Sequence, residues 1–127
     1  MIKIRSINHV SLLVSDTARS LEFYHELLGL GVDDSRPQMA FPGAWLHVGS
    51  RQIHLLELPA ASNSGDSSGH GGRDRHVAMD VADLDALTRA LEAADIAYTL
   101  SRSGRRALFC RDPDGNALEF VEVRGEG

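Results

Sequence analysis

Four side chains able to bind a metal ion or move a proton stand in a repeated pattern: His9, His54, His76 and Glu119. His9 precedes His54 by 45 positions, and His76 precedes Glu119 by 43. Three imidazoles and one carboxylate suit a divalent first-row metal: Zn, Ni, Mn, Fe or Co. Three or four protein ligands leave positions open for water or a substrate oxygen, which separates a catalytic site from a closed structural one. An ion held this way can polarise a carbonyl or an enediolate, or activate a water. One histidine on a strand is ordinarily a packed or surface residue, so the repeated spacing is what singles these four out.

The elements that must position them form two similar halves. Residues 60–75 read AASNSGDSSGHGGRDR, a Ser- and Gly-rich stretch with too little apolar surface to order itself. We expect a single domain made of a first module over 5–59, a flexible linker over 60–73 and a second module over 74–123. The first opens with the β-like run Ile7-Asn8-His9-Val10-Ser11-Leu12-Leu13-Val14. Ser15 and Asp16 are cap candidates for a helix striped by Ala18, Leu21, Tyr24, Leu27 and Leu28, with Gly29 and Gly31 able to end it. The second opens with Arg75-His76-Val77-Ala78-Met79-Asp80-Val81, with Asp83 as cap candidate and Leu84, Leu87, Leu91 and Ala94 as the stripe. Short strands should follow each helix, over 36–41, 43–49 and 51–58 and then over 97–101, 105–111 and 115–123. The fold class is therefore α+β, built from two βαβββ modules.

Strand parity places the four candidates. Residues i and i+2 of a strand share a face. Val10, Leu12 and Val14 supply the apolar face the first helix needs, so His9 and Ser11 face away. The same alternation puts His54, His76, Asp80 and Glu119 on faces without a helix. If the two sheets curl together, His9, His54, His76 and Glu119 converge in a cleft. His54 would be a fourth ligand or a base, and Glu119 a ligand with a catalytic role. Ser11 and Asp80 share that face and could orient a substrate. Trp45 and Phe109, with Phe41 and Tyr98, could form the apolar wall of a small-molecule pocket. Arg102, Arg105 and Arg106 read as a solvated turn, His25 and His47 as surface residues, and Glu57 and Glu122 as strand-end charges. His70 lies in the linker. Cys110 has no base beside it in sequence and reads as inert.

Composition bounds the rest. The chain has 127 residues, 43% of them hydrophobic and 24% charged, which suits one globular domain with a real core. Its net charge of −5 argues against nucleic acid or an anionic membrane as partner. A single cysteine excludes an internal disulfide and Cys-rich zinc cages. No run approaches a membrane span or a targeting segment, so the expected location is the cytoplasm and the expected partner a small molecule.

Particular stretches carry a family resemblance. They are Asn8-His9-Val10, then Ser20-Leu21-Glu22-Phe23-Tyr24 running to Leu28-Gly29-Leu30, then His76-Val77-Ala78, and finally 112–120, DPDGNALEF. In these the chain resembles the vicinal oxygen chelate superfamily, which includes glyoxalase I, fosfomycin-resistance thiol transferases, extradiol dioxygenases and bleomycin-resistance proteins. The resemblance implies half-barrels enclosing a metal cleft, and a homodimer whose clefts combine the first module of one chain with the second of its partner. His9, His54, His76 and Glu119 would then be the metal ligands. It implies a metal-dependent enzyme, with lyase or isomerase chemistry of the glyoxalase I type favoured. The alternatives are a fosfomycin-type thiol transferase, an extradiol dioxygenase, or a non-catalytic protein that sequesters an antibiotic or metabolite. Glyoxalase-I-like enzymes carry Glu or Gln where this chain has His54, and that is its main departure from the pattern.

Overall fold

The computed structural model describes residues 1–59 and 69–123. The chain divides into two compact units, Met1–Ser62 and Asn63–Gly127. In the first unit, strand β1 (His9–Val14) leads into helix α1 (Thr17–Leu21), which continues as a π-helical turn over Glu22–Leu27. Strands β2 (Gly31–Val32), β3 (Gly43–Val48) and β4 (Arg51–Glu57) follow. In the second unit, β5 (His76–Val81), α2 (Leu84–Ala93), β6 (Tyr98–Leu100), β7 (Ala107–Arg111) and β8 (Ala117–Glu122) repeat the order. The sheets run β1-β4-β3-β2 and β5-β8-β7-β6, with the first and last strand of each unit paired in parallel. Each unit is thus a βαβββ module, as the repeat predicts.

The two helices start by the same device. Asp16 accepts from the Arg19 N–H, and Asp83 from the Ala86 N–H, each satisfying a donor the first turn leaves free. Glu57 and Glu122, the expected strand-end charges, reach back to the same helix ends. Glu57 accepts from the Thr17 N–H at 2.8 Å, and Glu122 from the Leu84 N–H at 2.9 Å. A carboxylate at a helix N-terminus also meets the positive end of the helix dipole. Each last strand is therefore tied to the helix of its own unit.

Several expectations need correction. Residues 36–41 form no strand. The second strand is Gly31–Val32, paired with Leu46 and His47, and residues 36–42 loop out instead. Pro37 and Pro42 flank that loop, and a proline has no N–H to give a ladder. Gly31, read as a helix terminator, lies in β2, while Gly29 at φ +81° adopts the left-handed conformation that ends the helix. The first helix buries Ser20, Phe23 and Tyr24, whereas Ala18 is exposed. The wider π turn changes the angle between successive side chains, so a 3.6-residue stripe drifts off the buried face. In α2 the stripe holds through Leu84, Leu87 and Leu91, but Ala94 is exposed at the cap. Most of the linker expected over 60–73 lies outside the described residues; its end, Gly71–Arg73, forms a 3-10 turn.

Val14, Tyr24, Leu46 and Leu55 centre the core of the first unit, and Leu91, Leu108 and Leu118 that of the second. Among the described residues, no helix is long and apolar enough to cross a membrane.

Candidate functional site

In the first unit the face away from the helix carries an aromatic stack. The His54 ring lies between His9, at 3.9 Å between centroids and 16° between planes, and Trp45, at 4.3 Å and 7°. Strand register explains the geometry. Ser11, His54 and Trp45 are direct cross-strand neighbours on β1, β4 and β3, and His9 sits one step diagonally along β1. Ser11 is exposed beside them and Trp45 is half-buried.

Hydrogen bonds set which nitrogen of each ring is free. Asp33 accepts from the Ser35 hydroxyl, the Ser35 N–H and the Gln52 amide, and these bonds hold its carboxyl down at about 2. An ionised Asp33 orients the Gln52 amide, whose oxygen then faces His54 Nε2 at 2.7 Å. His54 therefore carries its proton on Nε2 and a lone pair on Nδ1. His9 donates from Nδ1 to the Asn8 side-chain oxygen at 2.7 Å, which leaves the lone pair on Nε2. Burial, then the neighbouring His9, pushes the His54 pKa below 6.5, and the Arg36 charge adds to this while Asp33 opposes it.

A pH dependence follows from that depression. Unfolded His54 takes up a proton near pH 6.5, while folded His54 stays neutral to a lower pH. Its stabilising contribution is complete above pH 6.5 and is lost as pH falls through the depressed folded value. Urea melts of chelator-treated protein should therefore lose stability more steeply below pH 6.5 in the wild type than in His54→Gln. Equal slopes in the two would show that the stack does not disfavour the charged ring.

The second unit brings His76 and Glu119 together. His76 Nε2 lies 3.2 Å from Glu119 Oε1, and Arg105 Nη2 lies 3.0 Å from Glu119 Oε2. Parity places Glu119 on the face without the helix, and the expected open setting is where it departs: its side chain is only 5% exposed, against 26% for His76. Phe109, its direct neighbour on β7, is also buried and meets the His76 ring edge-on at 5.3 Å. His70 packs edge-on against Phe109 at 4.6 Å and hydrogen-bonds to the Thr99 hydroxyl. His76 Nδ1 donates to the Asp74 carbonyl at 2.9 Å, and Arg111 pairs with the Asp74 carboxylate at 2.9 Å. The His76 ring is thus set with Nε2 toward the carboxylate.

The other candidates divide. Asp80 is exposed on β5, on the same strand face as His76. Tyr98 turns away from the expected wall, donating to Glu92 of α2 at 2.6 Å. Cys110 is buried, and burial pushes its thiol up to about 12, which suits the inert reading. Arg106 pairs with Glu122 and Asp85 rather than standing free in the turn. The pattern reading did not reach the Asp33–Gln52 support of His54 or the Arg105 support of Glu119. Gln52 was within reach, since it lies two residues before His54 and so on its face. Among the described residues, no three His, Cys, Asp or Glu side chains cluster closely enough to hold a metal ion.

Comparison with known proteins places the chain. Residues 6–120 match the model of the Glyoxalase/Bleomycin resistance protein/Dioxygenase superfamily. The chain belongs to this superfamily. Glyoxylase I 4 of Arabidopsis thaliana is 31% identical over 121 residues, spanning 91% of this chain and 69% of that protein. Lactoylglutathione lyase of Haemophilus influenzae is 30% identical over 124 residues, spanning 91% of both chains. The crystal structure of a glyoxalase/dioxygenase from Nostoc punctiforme shares the superfamily fold with a TM-score of 0.77. It is 24% identical and covers 95% of this chain and 92% of that one.

Proposed function

We propose that the protein is a divalent-metal-dependent enzyme of the glyoxalase superfamily, acting on a small oxygen-bearing substrate by lyase or isomerase chemistry. The observation that carries this reading is the contact between His76 and Glu119. His76 commits Nδ1 to the Asp74 carbonyl and points Nε2 at a carboxylate oxygen 3.2 Å away. An imidazole nitrogen and a carboxylate oxygen, each oriented by a further bond, are the ligand types of a divalent metal site. The free nitrogens of His9 and His54 are prepared in the same way, each by a bond from the other ring nitrogen to an amide oxygen.

His9, His54, His76 and Glu119 form the proposed ligand set, in a homodimer whose clefts each draw on both modules. A metal ion bound there supplies Lewis acidity toward two neighbouring substrate oxygens. The remaining work falls to the chain. Arg105 holds Glu119 Oε2 so that Oε1 keeps its aim. Where His54 serves as a base instead of the fourth ligand, its Nδ1 lone pair, exposed by the Gln52 bond, accepts the substrate proton. Ser11 and Asp80 orient the substrate, and Trp45 and Phe109 shield it from water. Lactoylglutathione lyase among the relatives favours the lyase side of this reading.

Elemental analysis of untagged protein purified without chelator tests it. We expect about one transition metal per chain, from the single four-residue donor set, and its loss in His76→Ala. Protein that holds no metal, and takes up none of Zn, Ni, Mn or Fe(II), would be a sequestering binding protein instead.

A further inference from the structure

The loop that replaces the expected strand borders an open pocket of about 350 Å³ within the first unit, lined by residues 36–42. Its one charged lining residue is Arg36, which is half-buried. The guanidinium is held in place: Nη2 donates to the Phe41 carbonyl at 2.8 Å, and the group sits 5.8 Å from the centre of the Phe41 ring. Gly43 makes room for it, since a Cβ there would lie 3.2 Å from Nη2 and 2.1 Å from the Leu55 carbonyl oxygen. The charge is left uncompensated. Arg36 Nε is buried without a hydrogen-bond partner, and no carboxylate pairs with Arg36 among the described residues. An unsatisfied buried donor on a charged group is costly. A chain with 18 acidic side chains and a net charge of −5 has carboxylates to spare, yet among the described residues none pairs with Arg36.

We propose that Arg36 and the Arg36–Pro42 loop form a binding site for the carboxylate of a small amphipathic molecule. A guanidinium fork matches the two oxygens of a carboxylate. Pro37, Met39 and Phe41 put apolar side chains at the border of the pocket beside its polar groups, where a short hydrocarbon body can lie, and the volume lies in the range of small-molecule sites. A phosphate dianion fits less well. The lining holds a single cation, and Pro37 and Pro42 contribute no backbone N–H to a phosphate cradle. Arg36 is near enough to His54 for its charge to be felt there. The site deepens the enzymatic reading by specifying an anionic substrate, and rests on that reading only in treating the ligand as a substrate.

The test titrates chelator-treated full-length protein with 4-phenylbutanoate, its neutral amide and inorganic phosphate, following Trp45 fluorescence and calorimetric heat. We expect saturable binding of the carboxylate in the millimolar range or tighter, weakened about tenfold or more for the amide, as for loss of one charge-assisted pair. Arg36→Met should abolish the preference for the carboxylate. Should that variant fold poorly, Met39→Glu keeps Arg36 and offers it an internal carboxylate, and should block the probe. Equal binding of amide and carboxylate, unchanged binding in both variants, tighter binding of phosphate than of carboxylate, or no saturable binding at all would each overturn the site. Because no metal is present in the titration, its failure and a failure of the metal reading are separately visible.

Discussion

Glu119→Gln should lower metal affinity by at least about a hundredfold, more than loss of an outer hydrogen-bond partner costs, and should abolish turnover. The substitution keeps the shape of the side chain and removes its charge. The charge does two things here. It faces His76 Nε2 through Oε1, and it neutralises Arg105 through Oε2. A neutral amide at a side chain only 5% exposed can still fill the space, so the fold should survive. Metal content and calorimetric affinity measure the first effect, and circular dichroism checks the second. Arg105→Met provides the contrast, because it leaves the carboxylate in place and loosens only its aim. A Glu119→Gln protein with wild-type metal content and activity would end the assignment of Glu119 as a ligand.

Leu91→Ala should destabilise the protein by about 2–5 kcal/mol, the range for removing a fully buried leucine and leaving part of the cavity behind. Leu91 is 0% exposed and completes the buried stripe of α2 with Leu84 and Leu87. Loss of the transfer energy of its side chain alone accounts for only part of that range; the unfilled space supplies the rest. Leu100→Ala is the control, since Leu100 is 61% exposed and its loss should change stability by about 0.5 kcal/mol or less. Urea melts resolve the two, because a slope of about 1–3 kcal/mol per molar turns the first effect into a midpoint shift of about 0.7 M or more. Similar shifts for both variants would mean that α2 does not anchor the core of its unit.

The sequence by itself determined the module. Alternation along β1, β4, β5 and β8 and the stripe of α2 are local, periodic signals. They reported correctly which face of each strand meets a helix, and so which residues share the opposite face. The aspartate caps were legible for the same reason, since a cap acts on a backbone donor three residues away. The pairing of halves was legible because a repeated pattern cancels the noise of any one position.

Tertiary structure decided what periodicity cannot carry. The first helix buries Ser20 and Phe23 and not Ala18, and it passes into a π turn over Glu22–Leu27, where a 3.6-residue period no longer applies. The prolines at 37 and 42 displaced a strand whose apolar content looked adequate, and left a loop around Arg36. Glu119 lies on the predicted face yet is covered by neighbours from other elements, and its Arg105 partner is 14 residues distant in the chain. The support of His54 by Gln52 and Asp33 spans 19 residues and depends on which way an amide points. The first two are backbone effects with no periodic signature, and the last two are side-chain contacts: alternation specifies a face but not the side chain that comes to meet it.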